Sequence, residues 1–166
     1  MNASYNKVHL CLNCSKTLLK NQYERLKFKN IFSIFGVFKT KCPNCRNSST
    51  FILVDQLLSE SIYILNQKGY TTLKSAIVES NAEKIYAYID FLEPIDIKLK
   101  PKFMSYISKW KCNSNTNVII RDEENRNSIQ YVYSQSKNIS AEIQSVSQGL
   151  LDWANSIPKM NSTRIS

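Results

Sequence analysis

Apolar residues change their spacing several times along this chain, and each change predicts a different element. Val54, Leu57, Leu58, Ile62 and Leu65 recur at helical spacing, with Asp55 near the start and Gly69 just past the end. They predict a helix of about four turns. Ile85, Ala87, Ile89 and Phe91 alternate with Tyr86, Tyr88 and Asp90, the period of a half-buried strand. Tyr70 to Val78 is also strand-like, with weaker alternation. Pro94 and Pro101 bracket an irregular stretch. Beyond it, Val118 to Arg121 and Ile129 to Tyr133 read as a hairpin across the polar loop Asp122 to Ser128. A closing helix shows Ile139, Ile143, Val146, Leu150, Ala154 and Ile157 on one side and is stopped by Pro158.

Upstream the pattern is strand, cysteine pair, strand, cysteine pair. Lys7 to Leu10 leads as a short strand into Cys11 and Cys14, and Ile31 to Lys39 as a longer one into Cys42 and Cys45. The 27 residues between Cys14 and Cys42 exceed the common interval of about 15 to 20. Thr17 to Arg25 is therefore expected to be an insertion with a turn or two of its own. The predicted fold is α+β: an N-terminal four-cysteine zinc ribbon followed by a small antiparallel sheet packed with two helices. The expected division is a zinc-ribbon module over 1–48, an α+β domain over 49–160 and a disordered tail over 161–166.

Two CxxC pairs account for four of the five cysteines, which fits metal ligation better than a disulfide framework. In each knuckle the chain turns so that both sulfurs converge, and Pro43 suits that turn. Four thiolates from two knuckles make a closed tetrahedral site, so the expected cofactor is one structural zinc on Cys11, Cys14, Cys42 and Cys45. Iron in a rubredoxin-like site is the alternative. His9, the sole histidine, is expected on the exposed face of its strand, ligation being the rarer use. Cys112 has no evident base near it and reads as an incidental thiol.

At 166 residues with 43% apolar and 21% charged residues, the chain is globular in composition, and no apolar run approaches the roughly 20 residues of a membrane span. Its first residues lack a signal-like apolar core. A soluble, cytoplasmic protein is expected, in a host cytoplasm if the gene is a phage's. The net charge of +9 is unevenly placed. Residues 1–50 hold nine Lys/Arg against the single Glu24, a net +8, whereas residues 51–166 hold thirteen against twelve acids, a net +1. The cysteine-bearing part is the basic part, and Lys39, Lys41 and Arg46 flank its second knuckle. Such a field favours an anionic partner; the same lysines also offset the negative charge of a four-thiolate site.

A second basic stretch is Lys98, Lys100, Lys102, Phe103, Tyr106, Lys109, Trp110 and Lys111, with no acidic residue between Asp96 and Asp122. Lysines for phosphates interleaved with aromatics for bases is a single-strand-binding composition. Core anchoring by Phe103, Ile107 and Trp110 is the other reading. No paired carboxylates, GxGxxG, P-loop or HExxH occurs. The expected class is a non-enzymatic binding protein, the rival being a nucleotide-directed enzyme with a site among Tyr86, Tyr88, Arg121 and Tyr133.

From Cys42 onward the order of features resembles an uncharacterised family of small zinc-knuckle proteins of Bacillota and their phages. The matching pieces are Cys42-Pro-Asn-Cys45, Leu65-Asn-Gln-Lys-Gly-Tyr-Thr-Thr72, Ala87-Tyr-Ile-Asp-Phe91, Leu99-Lys-Pro101, Ile119-Ile-Arg121 and Leu150-Leu-Asp-Trp-Ala-Asn-Ser-Ile-Pro158. Family members usually carry a Cys-Cys-x-Gly-His-like motif where this chain has Ser75 to Glu79, so no catalytic residue carries over. The resemblance implies a phage or mobile-element origin. It leaves two partner classes: nucleic acid, or a host protein complex bound by an anti-CRISPR-like inhibitor.

Overall fold

A computed structural model describes residues 3–4, 6–29, 40–80, 84–96, 98–113, 118–134 and 138–160. In chain order the strands are β1 (Ala3–Ser4), β2 (Lys7–Cys11), β3 (Thr17–Leu19), β4 (Thr40–Lys41), β5 (Ser48–Ser49), β6 (Phe51–Asp55), β7 (Thr72–Ser80), β8 (Lys84–Phe91), β9 (Ser105–Asn113) and β10 (Val118–Ser134). The helices are α1 (Lys20–Lys29), α2 (Ser59–Gln67) and α3 (Ile139–Ser156). All pairings are antiparallel, in a sheet of order β1-β7-β8-β10-β9, a sheet of order β3-β2-β6, and the pair β4-β5. The fold class is α+β.

The alternation over residues 85–91 lies where the sequence predicts. Ile85, Ala87, Ile89 and Phe91 of β8 are buried while Tyr86, Tyr88 and Asp90 are half-exposed. On this apolar side α3 contributes Ile143, Val146, Leu150, Trp153 and Ala154 to the core, an i, i+3, i+7 stripe of one helical face. Asn138 caps α3, its side-chain oxygen accepting the Ala141 N–H at 3.1 Å. Trp153 buries its ring and donates its indole N–H to the Leu99 carbonyl at 2.6 Å. Expected residues 31–39 and 161–166 lie outside the described ones.

Three expectations are corrected. The predicted helix from Val54 to Leu65 is instead a strand, a 3-10 turn over Gln56–Leu58, and the shorter α2. Val54, Leu58, Ile62 and Leu65 all reach one core, and a strand running into a tight turn imitates helical spacing there. Asp55 is a cap, as its position suggests, but of the 3-10 turn. The predicted hairpin of 118–121 with 129–133 is one continuous strand, β10, whose partners are β9 and β8. Register shifts between Arg121 and Glu124 and between Asn125 and Ile129 absorb the polar residues that resemble a loop. Finally, the expected insertion after Cys14 is the edge strand β3 followed by α1.

α2 ends as its Gly69 predicts. That residue has φ +94°, and the Tyr70 N–H returns to the Leu65 carbonyl at 3.0 Å while the Gly69 N–H meets Asn66 at 3.1 Å, a Schellman closure. Strand β6, beyond residue 48, pairs with β2, Cys11 opposite Phe51 and Lys7 opposite Asp55. Val8, Leu10 and Val54 join Leu58, Ile62, Ile77 and Leu150 in one hydrophobic cluster. The segments on either side of residue 48 thus share a sheet and a core.

Asp55 is fully buried at this junction. Its carboxylate accepts the Leu57 N–H at 3.1 Å and the Ile77 N–H at 3.4 Å, and Lys7 donates to the Ser75 carbonyl at 2.8 Å. Burial pushes the Asp55 carboxyl up, with those two N–H groups and the Lys7 ammonium opposing it. A carboxyl raised in the folded state contributes stability below its unfolded value and loses it as pH rises through the raised one. Nearby, the buried Ser75 hydroxyl has no hydrogen-bond partner. Denaturant titration should therefore separate two truncations. Asp55→Ala strands two N–H groups and should cost about 1–3 kcal/mol, whereas Ser75→Ala removes an unsatisfied hydroxyl and should be neutral or stabilising. Equal losses in both would contradict these assignments.

Candidate metal centre

The four cysteines come together at the tips of two hairpins. Cys11 ends β2 and Cys14 precedes β3; Cys42 follows β4 and Cys45 precedes β5. Both knuckles use the same hydrogen bonds. The Cys11 N–H donates to the Lys16 carbonyl at 3.0 Å and the Ser15 N–H to the Cys11 carbonyl at 3.1 Å; the Cys42 N–H donates to Asn47 at 2.9 Å and the Arg46 N–H to Cys42 at 2.8 Å. Each turn ends with a residue in left-handed backbone, Ser15 and Arg46, both at φ 59°. The two turns are one conformation used twice.

Their cysteine sulfurs all lie within 4.8 Å of one another. Cys14 and Cys42 are 3.8 Å apart at sulfur, far beyond a disulfide bond of about 2.05 Å. With metal–sulfur bonds of about 2.3 Å, the edge of a tetrahedral four-sulfur site is about 3.8 Å. The donor set is therefore close enough to hold one metal ion, and its cysteines are the four predicted. Cys11 and Cys42 are buried, Cys14 and Cys45 partly so.

Residues outside the CxxC pairs lock the hairpins together. The Ser49 hydroxyl lies 2.9 Å from the Cys11 sulfur, Asn13 donates to the Ser48 carbonyl at 3.0 Å, and the Leu12 N–H donates to Thr50 at 3.1 Å. Sequence reasoning reads 47–50 as a polar linker and misses Ser49; the cue is that a knuckle needs a returning strand. Burial works against the Cys11 thiolate, yet the Ser49 hydroxyl and the N–H groups of Asn13 and Cys14 outweigh it and bring the thiol down to about 7. Burial pushes Cys14 up to about 12, the adjacent thiols adding to the effect, and burial also raises Cys42.

His9 is not part of the sulfur cluster. Its ring stacks on Tyr23 at 3.7 Å between centroids, and Tyr23 in turn meets Phe51 at 5.5 Å.

No protein-family model, curated protein or solved structure matches this chain. The reading of the centre rests on its own geometry.

Among the predicted surface residues, Lys41 and Arg46 are exposed beside the cysteines; Lys39 lies outside the described residues. Lys98 and Lys102 are exposed on the loop before β9. Lys100 is half-buried and donates to the carbonyls of Pro101, at 3.2 Å, and Met104. Phe103 is 41% exposed, yet its ring lies against Gly149 of α3 and meets Tyr131 edge-on at 6.2 Å. Tyr106, Lys109, Trp110 and Lys111 fall on β9, as does Cys112, paired opposite Ile119. The basic aromatic stretch is therefore split between a loop packed on α3 and an edge strand. The four residues of the enzyme alternative lie at separate register positions along β8 and β10. Tyr86 pairs opposite Val132, whereas Arg121 pairs opposite Trp110, eleven residues along β10, a span of roughly 35 Å. Among the described residues no helix is long and apolar enough to cross a membrane.

Because Cys14 and Cys42 hold their protons at neutral pH in the metal-free fold, metal entry must expel them, and acidification must weaken binding. Calorimetric titration in buffers of different ionisation enthalpy should show more than one proton released per metal at about pH 7, with affinity falling toward about pH 6. Affinity independent of pH across that range would contradict the thiolate assignment.

Proposed function

We propose that this chain is a non-enzymatic protein that holds one structural zinc ion in a ribbon-like pair of hairpins and binds nucleic acid through the cations around it. Four soft thiolates within 4.8 Å of one another suit zinc, and a closed four-sulfur shell supplies folding energy while leaving no position for a substrate. The observation that carries the binding reading is the exposure of Lys16, Lys41 and Arg46 beside the sulfur cluster. Charge neutralisation alone does not account for them. Zinc with four thiolates has a formal charge of about −2, which leaves most of the +8 on residues 1–50 unmatched. Arg46 takes the same left-handed turn position as Ser15 in the other knuckle, so the turn accounts for its backbone, and its exposed cation is what supports the binding reading.

Elemental analysis of the purified protein should find about one zinc per chain, and Cys42→Ser should abolish retention and lower the melting temperature. Metal-free protein with unchanged stability would end the zinc assignment. Nucleic-acid binding is tested by salt titration with mixed-sequence strands. The logarithm of affinity should fall with the logarithm of salt with a slope of several units. Arg46→Gly should relieve the backbone cost and raise stability by about 1 kcal/mol, yet reduce the salt slope by about one. Absence of binding at about 50 mM salt would leave a protein partner instead.

A further inference from the structure

The sheet β3-β2-β6 has two unlike faces. Val8 and Val54, paired opposite each other, lie in the hydrophobic core. One residue further along, Leu18, His9 and Leu53 are paired across the three strands, so their side chains share the opposite, outer face. At one end that face closes on β7, where Asp55 accepts the Ile77 N–H. Toward the cysteines it meets α1, which lies against β2, β3 and β4. The cover is uneven: Leu18 on β3 is 5% exposed, whereas Leu53, at the same level on β6, is 51% exposed. The β6 side of the outer face is therefore open to solvent.

Aromatic rings border this open strip. Tyr23 of α1 stacks on His9 at 3.7 Å between centroids with the planes 16° apart, and it meets Phe51 of β6 at 5.5 Å and 55°. Rings that served only to anchor α1 would be sunk as Leu18 is, yet all three stay half-exposed. Cations stand around them. Phe51 pairs with Cys11 on one side of β2, and on the other the Cys11 N–H reaches the carbonyl of the exposed Lys16. Lys20 is exposed one helical turn before Tyr23, and Lys41 is exposed on β4, beside α1. The only acid in residues 1–50 is Glu24. Cations for phosphates beside open aromatic rings for bases make a surface for an unpaired strand. A duplex offers such a surface its phosphates alone, because its bases are stacked on one another and turn only their edges outward.

We infer that the His9–Tyr23 stack and Phe51 form a base-stacking platform for single-stranded nucleic acid, with Lys16, Lys20 and Lys41 at the phosphates. This rests on the nucleic-acid reading above and narrows it to unpaired strands and to the outer face of one sheet.

The test uses the full-length, metal-loaded protein and probes of one mixed sequence: a DNA strand, the corresponding RNA strand, the DNA duplex, and an abasic strand that keeps the phosphates without the bases. The base-bearing strands should bind at least about fivefold tighter than the abasic one, the least that a single stacked base contributes. Phe51→Leu and Tyr23→Leu keep apolar volume but remove a ring. Each should bring the base-bearing strands toward the abasic affinity while leaving abasic and duplex binding and the salt slope unchanged. Tyr23→Phe, which keeps the ring, should retain the advantage, and Lys41→Gln should lower the salt slope by about one on every probe. A cobalt-loaded centre with an unaltered thiolate-to-metal absorption band, together with an unchanged circular-dichroism spectrum, would show that the variants remain folded; should Tyr23→Leu fail this check, Phe51→Leu and the abasic comparison decide. If the abasic strand binds as tightly as the others, or the ring variants match the parent or weaken all probes alike, the platform is overturned while the cations near the cysteines keep the binding role. If no probe binds at about 50 mM salt, the nucleic-acid reading itself fails, and the platform with it.

Discussion

The pairing of β2 with β6 is the constraint on which the rest of the molecule depends. Within five residues β2 buries Val8 and Leu10 in the core and delivers Cys11 to the sulfur cluster. Along the same ladder β6 places Val54 in the core and Asp55 over the start of the next turn. A sulfur cluster at the tip of such a ladder cannot shift without shifting core residues. Conversely, a core that holds β2 in register has already placed one of the ligands.

The ladder also explains the apparently costly polar groups at the junction. Asp55 is buried, but it satisfies N–H groups of the turn after β6 and of β7, which belong to different sheets. A buried carboxylate with two such partners ties neighbouring layers more specifically than an apolar contact does. Its ionisation works against folding at neutral pH, so the junction trades some stability for a defined arrangement.

How much of this was legible in the sequence depended on how local the signal was. The β8 alternation, the Pro158 stop of α3 and the Gly69 stop of α2 are written in neighbouring residues and were readable. The CxxC spacing identified all four sulfurs, because a knuckle is a local turn. What was not legible depended on partners remote in sequence. Val54 fits a helical period and a strand equally well until β2 is placed beside it. The polar run 122–128 has a loop's composition, and only pairing to β9 and β8 makes it strand. Ser49 meets Cys11 across 38 residues, a distance no spacing rule covers. The candidate binding residues were not placeable from sequence, since lysine and aromatic composition does not say which element carries each residue.

The repeated knuckle has a kinetic consequence. Each turn by itself offers two thiols, and 27 residues separate the two pairs. For an ion caught by one pair in the unfolded chain, completing the coordination would require that intervening segment to close, at an entropic cost that grows only slowly with its length. With ions scarce, the first capture would guide the second turn into place; with ions abundant, both pairs would fill independently and one ion would have to leave before the centre assembled. The order in which protein and metal met would then set how fast the folded form appears, with the final state the same.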